Sequence, residues 1–348
     1  MRAPLTDAEL DARLAALGLS RDDSVTAPPP SKNRTVVCKS GKRRMLVKIA
    51  DGPGNVGVLR EGSVLERLTP LARQRGSPLL LPVVFSFDPA HGLLALEWLA
   101  NGETVHHFHR RTGEYPKPLA RQIGRALGFL HQASRDSPSR YALADAFRDE
   151  ADLLECFLRM RPDFYARLSK AGLDFFAAVQ SDAPAMQGLQ ALSIQQAREG
   201  DATLLHGDLR QANLLRVGRT KTAPVVCLDW ELSFWGDPAR DMGSLICDYV
   251  LCWLAPEHRS EVLSRTTLAT FCRALLDAYA EGRGPNFKLE MAFEERVVRW
   301  VGAAMLISIY GITHYTHAFD TRAEGVTRHA LDMLGQPARW PKVLWGEG

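Results

Sequence analysis

Apolar positions follow two periods along the chain. Near the start, Leu10, Leu14 and Leu17 fall on one face of a short helix expected over residues 7–19. Residues 20–30 break that pattern and end in Pro28-Pro29-Pro30. Two runs rich in Val, Thr, Met, Leu and Ile follow, residues 34–38 and 44–49, and predict strands joined by a turn. A helix is expected over residues 55–74, then a second hairpin with strands at 83–87 and 93–97 around Asp88-Pro89-Ala90-His91-Gly92. Beyond this point the helical period dominates. Leu119, Ile123, Leu127 and Leu130 mark a long core helix. Residues 135–200 are mostly helical and polar, and residues 247–254, 266–279 and 293–319 are apolar or amphipathic. Trp340 and Trp345 predict a C-terminal tail that docks.

One stretch interrupts the helical half: LLHGDLRQANLLRVGRTKTAPVVCLDWELSFWGDP, residues 204–238. Strands at 214–217 and 225–228, joined by a loop rich in Gly, Lys, Arg and Thr, form a hairpin. With Asp229 on its second strand, the hairpin returns that residue to the side of Asn213. Asp208, Asn213 and Asp229 then offer three oxygen-bearing side chains at one point, a set suited to Mg²⁺ with ATP phosphates. Asp208 would accept the proton of an attacking hydroxyl, and Asn213 and Asp229 would hold the metal. Glu231, two residues along an extended chain, would reach the metal or its waters. Taken singly, Asp208 and Asn213 also suit a helix cap or a turn. His206 is expected to position the loop backbone, Asp237 to make a turn and Asp241 to start a helix.

Lys48 lies between apolar neighbours in MLVKI. A lysine there either points to solvent or is buried with a partner, because burial unpaired is costly. The helix after it carries Glu61 and Glu66.

HGDLRQANLL, LDWE and GDPARD, in that order, closely resemble the aminoglycoside phosphotransferase and choline kinase superfamily, small-molecule kinases with the protein-kinase fold. Gly207 stands where protein kinases have the Arg of HRD, and Asp229–Glu231 forms an Asp-x-Glu element in place of DFG. The resemblance implies an α+β, two-lobed protein-kinase-like fold. Residues 1–19 would be a helical extension, 20–98 a small antiparallel β-sheet lobe binding nucleotide, and 99–348 a larger, mainly helical lobe with the catalytic loop and acceptor site. It further implies ATP and Mg²⁺ as cofactors, Lys48 on the α- and β-phosphates, and Glu61 rather than Glu66 pairing with Lys48. The phosphate-covering loop would be PPPSKNRT, which lacks glycine; Ser31 and Asn33 either contact phosphate or make an ordinary turn. Glu97 and Leu99 would meet adenine through their main chains. The acceptor would be a small-molecule hydroxyl (an antibiotic, a sugar, choline or an amino alcohol). Two alternatives remain: Ser or Thr in a natural-product precursor peptide, before phosphate elimination, and a nucleotide-binding pseudokinase partner subunit. Asp145, Asp149, Glu150, Asp152 and Glu155 either line a pocket for a cationic acceptor or form a solvated face.

Composition narrows the classes. Of 348 residues, 46% are hydrophobic and 24% charged, as in a soluble globular protein, and a net charge of +3 is too mild to imply nucleic acid. The six cysteines are scattered without a CxxC pair, which fits buried thiols in a reducing cytoplasm. The acidic N-terminal stretch is unlike a signal peptide, and the apolar run 301–313 is too short to span a membrane. His106, His107 and His109 cluster without matching metal-ligand spacing, and His314 and His317 share a helical face. Oligomeric state is not encoded in any of these patterns.

Overall fold

The computed structural model describes residues 6–22, 24, 33–50, 56–141, 153–196, 202–220, 222–254 and 263–346. Its N-terminal lobe comprises α1 (Asp7–Ala16), β1 (Ser20–Arg21), β2 (Arg34–Ser40), β3 (Arg43–Ile49), α2 (Gly57–Ala72), β4 (Val84–Asp88) and β5 (Leu93–Glu97). The five strands form one antiparallel sheet in the order β1-β2-β3-β5-β4. Side chains alternate across a strand, and β3 exploits this. Met45, Val47 and Ile49 face one way, with Leu10 and Leu14 of α1 laid over them. Lys48 has the opposite parity. It shares that other face with the paired Leu94, and Leu94 packs with Val58, Val64, Leu65 and Leu68 of α2. The helix expected as an extension thus covers one side of the sheet, and the lysine is turned toward the helix on the other.

The second lobe begins with β6 (Gly102–Thr104), α3 (Val105–Thr112) and α4 (Lys117–Asp136). Helices α5 (Pro138–Tyr141), α6 (Leu153–Leu158), α7 (Pro162–Tyr165), α8 (Lys170–Gln180) and α9 (Ala183–Gln196) follow. Then come β7 (Thr203–Leu205), β8 (Leu214–Val217), β9 (Val225–Cys227) and β10 (Phe234–Gly236), and finally α10 (Ala239–Leu254), α11 (Arg265–Arg283), α12 (Met291–Thr316), α13 (Thr321–Gly335) and α14 (Pro341–Leu344). Strands β6, β8 and β9 form one small antiparallel sheet, and β7 pairs with β10. The apolar stripe read in α4 is all buried: Leu119, Ile123, Leu127 and Leu130 are at most 6% exposed.

One difference from the sequence reading concerns length. The apolar run at 301–313 is part of a 26-residue helix, α12. It is the one described helix long and apolar enough by composition to cross a membrane, and 56% of its most apolar window is buried inside the protein. Val297, Trp300, Val301 and Met305 belong to the main core with residues of α10 and α13. The tail does dock, with Trp340 and Trp345 both buried.

Helices α4 and α11 form the closest helix pair. A Cβ at Gly124 would lie 2.1 Å from the Leu275 carbonyl oxygen, one at Gly128 2.1 Å from that of Tyr279, and one at Gly282 2.3 Å from that of Arg125. Contacts advance in the same direction along both chains, so the helices are parallel. Glycine is required because backbone, not a yielding side chain, occupies the space. Gly128→Ala should therefore destabilise the protein by about 1–3 kcal/mol through overpacking. Gly311→Ala, at a helical glycine with nothing within 4 Å of the added carbon, should leave the unfolding midpoint unchanged or higher. Equal midpoints for Gly128→Ala and wild type in thermal melts would contradict this packing.

Candidate active site

Lys48 meets α2 and the C-terminal lobe at once. Its Nζ donates to Glu61 at 2.9 and 2.7 Å and to Asp229 Oδ1 at 2.7 Å. Glu61 is fully buried and Lys48 is 9% exposed. Burial alone would pull the lysine pKa down. The two carboxylates outweigh it and raise that pKa, so the ammonium keeps its charge. Burial likewise works against the charged form of Asp229, but Lys48 holds its carboxyl below the usual carboxylate value. Glu66, one turn further along α2, takes no part in this cluster.

Asp229 is not on a strand. Strand β9 stops at Cys227, and Asp229 sits in the left-handed region at φ 67°, ψ 58° before a 3₁₀ turn, Trp230–Leu232. A non-glycine residue there is strained, a cost found where function fixes the backbone. The sequence reading of an extended chain from Asp229 to Glu231 fails for this reason. Glu231 lies in the turn, and its carboxylate accepts from Asn33 Nδ2 across the cleft. Asn33 is buried at the start of β2, and Ser31 lies outside the described residues.

The catalytic-loop segment is held by its backbone. Asp241, fully buried at the start of α10, accepts from the His206 N–H at 2.7 Å and the Gly207 N–H at 3.1 Å. Gly207 has φ 84°, and a Cβ there would lie 2.0 Å from the Leu232 carbonyl oxygen, which accounts for glycine at this position. His206 Nε2 is 2.7 Å from the Leu228 carbonyl, which can only accept, so Nε2 carries the proton. Its Nδ1 then accepts from the Asp208 N–H at 3.3 Å. Behind Asp241, His131 Nε2 lies at 3.4 Å, and His131 Nδ1 faces the Tyr279 hydroxyl at 3.0 Å. Burial keeps His131 neutral despite the adjacent carboxylate, and hydrogen bonds from His131 and His206 hold Asp241 charged against the burial that opposes it.

Asn213 closes the loop. Its Nδ2 donates to the Asp208 carbonyl at 2.8 Å and to Asp208 Oδ2 at 3.0 Å. The amide oxygen is the other, acceptor end of the same group. Leu228 N–H donates to the Asn213 carbonyl at 2.9 Å, tying the residue before Asp229 to Asn213. Asp208 remains 33% exposed on its side chain and also faces Arg210 Nε at 3.2 Å. The donor set for a cation is thus an amide oxygen and a carboxylate, with Glu231 nearby, all oxygen, which fits a hard cation such as Mg²⁺. Among the described residues no group of three His, Cys, Asp or Glu side chains is placed to hold a metal. His109 is buried, stacked on Tyr115 and pushed by burial down to about 4, while His106 and His107 are exposed.

At the lobe junction the Glu97 N–H donates to the Val83 carbonyl and the Leu99 carbonyl accepts from Gly102. Among the acidic positions after α4, Asp145, Asp149, Glu150 and Asp152 lie outside the described residues, and Glu155 accepts from Ser193 on α9.

Three contributors escaped sequence reading. Asp241 was legible as a helix start but not as the anchor of the loop. Arg210 sits two residues after Asp208 with no pattern to mark it. Asp248, one helical face along α10, accepts from the Gln211 N–H at 2.7 Å, and burial pushes its carboxyl up to about 6.

A family model described as a phosphotransferase enzyme family matches residues 26–285. No curated protein matches the sequence significantly. Among solved structures, a choline kinase from Streptococcus pneumoniae is similar with 15% identity and a TM-score of 0.56, covering 93% of this chain and 97% of its own. A choline/ethanolamine kinase family protein from Mesorhizobium loti shares 19% identity over 95% of each chain with a TM-score of 0.54. An amicoumacin kinase, solved with AMP-PNP, Ca²⁺ and Ami, shares 16% identity over 94% of this chain and 93% of its own, with a TM-score of 0.58. At these identities the likeness is one of fold, the two-lobed protein-kinase-like architecture.

The raised carboxyl of Asp248 makes a pH prediction. The folded state binds its proton more tightly than the unfolded state, so the group's stabilising contribution is full below about pH 4 and is lost as pH rises through about 6. Asp248→Asn, which keeps an acceptor for Gln211, should raise the melting temperature of the ligand-free protein relative to wild type at pH 7.5 and much less at pH 4.5. A constant difference across that range would refute the assignment.

Proposed function

The chain belongs to the phosphotransferase enzyme family, and from that premise we propose that it transfers the γ-phosphate of ATP, with Mg²⁺, to an alcohol hydroxyl of a small molecule. The observation that carries this reading is the Lys48 ammonium held at 2.7 Å from both Glu61 and Asp229. That contact sets a phosphate-binding cation beside a metal-binding carboxylate, at the junction of the two lobes.

Each residue then has a role. Glu61 aims Lys48 at the α- and β-phosphates. Asn213 and Asp229 hold Mg²⁺, with Glu231 in reach of the metal or its waters; Mg²⁺, when bound, neutralises phosphate charge. Asp208 orients the acceptor hydroxyl and takes its proton as the phosphoryl group moves. Asn213 Nδ2 binds Asp208 Oδ2, which fixes the carboxylate plane and leaves Oδ1 for the hydroxyl. The half-exposed Arg210 beside Asp208 adds positive charge on the side where phosphate charge must be stabilised. Glu97 and Leu99 border adenine through their main chains. The names of similar solved structures supply acceptors of the right kind, choline, amino alcohols and antibiotics, each bearing a hydroxyl on a small scaffold.

Asp208→Asn should lower phosphate transfer by roughly 10²–10⁴-fold, the usual contribution of a positioned base, while Mg-ATP affinity stays within a few-fold of wild type. The assay follows labelled γ-phosphate into a pool of small alcohols and, separately, a pool of Ser/Thr peptides. Label in the alcohol pool, lost in the variant and on chelation of Mg²⁺, is the expected result. Label confined to the peptide pool would replace the small-molecule acceptor with a peptide. Undiminished transfer by Asp208→Asn would remove Asp208 from the mechanism.

A further inference from the structure

Asp229 opens the 3₁₀ turn and Glu231 lies within it, and each is held by a donor from the N-terminal lobe. Lys48 donates to Asp229, and Asn33 Nδ2 donates to Glu231 Oε2. Asn33 is the one hydrogen-bond partner of the Glu231 side chain among the described residues. The two donors come from neighbouring strands. Thr35 pairs with Lys48 across β2 and β3. Asn33, two residues before Thr35, falls on the same face of the sheet if the strand alternation is continued. It is 2% exposed. The chain beside it is fixed twice, since Arg34 pairs with Ile49 in the sheet and with Asp7 of α1 through its guanidinium.

The choice of an amide has a chemical meaning. A lysine or arginine at position 33 would neutralise Glu231 and oppose an incoming dication. An amide N–H fixes the carboxylate and leaves its charge in place. An ionised carboxylate only accepts, through two oxygens with about four lone-pair positions. With Oε2 taken by Asn33, Oε1 stays open. Carboxylates that ligate metals are themselves hydrogen-bonded in this way, and the supporting donor carries a large part of the affinity. Electrostatics put Glu231 in the same cluster as Lys48. Burial above all, and with it the charges of Asp229 and Glu231, push the Glu61 carboxyl up against the pull of Lys48. Two adjacent strands thus cover the turn that bears both carboxylates, one supplying charge and the other orientation.

We propose that Asn33 is a positioning residue for the divalent cation of this site: it acts through Glu231, whose carboxylate it aims, and so makes cation binding depend on the N-terminal lobe. The inference rests on the phosphotransferase reading above and adds to it a residue that touches neither acceptor nor phosphate. A direct contact of Asn33 with phosphate would require its amide to turn away from Glu231, and it predicts a different pattern of binding. With the lobes apart Glu231 loses its support, so the cation is held tightly only when they are together.

The test measures ADP binding to the full-length protein by calorimetry, once in excess Mn²⁺ and once in EDTA, with no acceptor and no turnover. Wild type is compared with Asn33→Ala, Asn33→Leu, Glu231→Ala and the double variant Asn33→Ala/Glu231→Ala. In Mn²⁺, Asn33→Ala should weaken binding by about 10–100-fold, the usual effect of removing a donor behind a metal ligand. In EDTA its affinity should match wild type, which also shows that the cleft is intact. Asn33→Leu fills the space without a donor and should behave as Asn33→Ala does. The double variant should bind no more weakly than Glu231→Ala, because Asn33 acts through that carboxylate. Equal weakening of Asn33→Ala in Mn²⁺ and in EDTA would make Asn33 a phosphate contact and overturn the proposal. Additive losses in the double variant, or Asn33→Ala binding like wild type in Mn²⁺, would overturn it while leaving the phosphotransferase reading in place. Wild type that fails to bind ADP in Mn²⁺, or binds it no better than in EDTA, would remove the nucleotide-and-cation reading of the cleft and this inference with it.

Discussion

A lysine ammonium buried to nine-tenths of its surface must keep its charge, and the two lobes meet where that requirement is satisfied. Desolvating an ion costs several kcal/mol, and only close, well-oriented counter-charges repay it. Lys48 obtains one from α2 and one from the C-terminal lobe. The alternation of β3 turns Lys48 to the helix side of the sheet, and α2 presents Glu61 there. Asp229 completes the arrangement only because its backbone adopts a left-handed conformation that an ordinary strand end would not supply. Removing Lys48 itself would leave the buried Glu61 carboxylate without a counter-charge, a change on the order of 3–5 kcal/mol, so this contact also helps to hold the lobes together.

Much of this was legible in the sequence, for physical reasons that can be named. Strand-favouring residue types and a turn between them revealed β2, β3 and β5, helical spacing revealed α4, which buries one regular face, and the choice of Glu61 over Glu66 followed from family context that the structure matches in space. The return of the residue before Asp229 to Asn213 was legible because a hairpin of fixed length brings the chain back on itself. Illegible features depended on close approach between distant segments or on local backbone geometry. The left-handed turn at Asp229 has no residue signature, and so Glu231 was aimed along a strand that does not exist. The Asn33–Glu231 contact joins residues 198 apart in sequence. His131 reads as one more position in an amphipathic helix, and only the packing of α4 on α11 and α10 reveals it as the support of Asp241.

The polar core behind the catalytic loop is built as a chain of single hydrogen bonds. Arg283 donates to the Tyr279 hydroxyl at 3.1 Å, Tyr279 faces His131, and His131 faces Asp241. Each group is buried and each finds a partner, which is the condition under which a buried polar network rigidifies rather than destabilises. The glycines of α4 and α11 belong to the same design. They bring the two helices close enough for Tyr279 to reach His131.

Asp241 grips main-chain amides, not side chains. Every residue but proline has an N–H to offer, so this anchor does not depend on the side chains that follow Gly207. The backbone that leads into Asp208 is thereby fixed at His206 and Gly207, before any side chain of the loop comes into play. A loop hung from its main chain in this way holds its position independently of the side chains it displays.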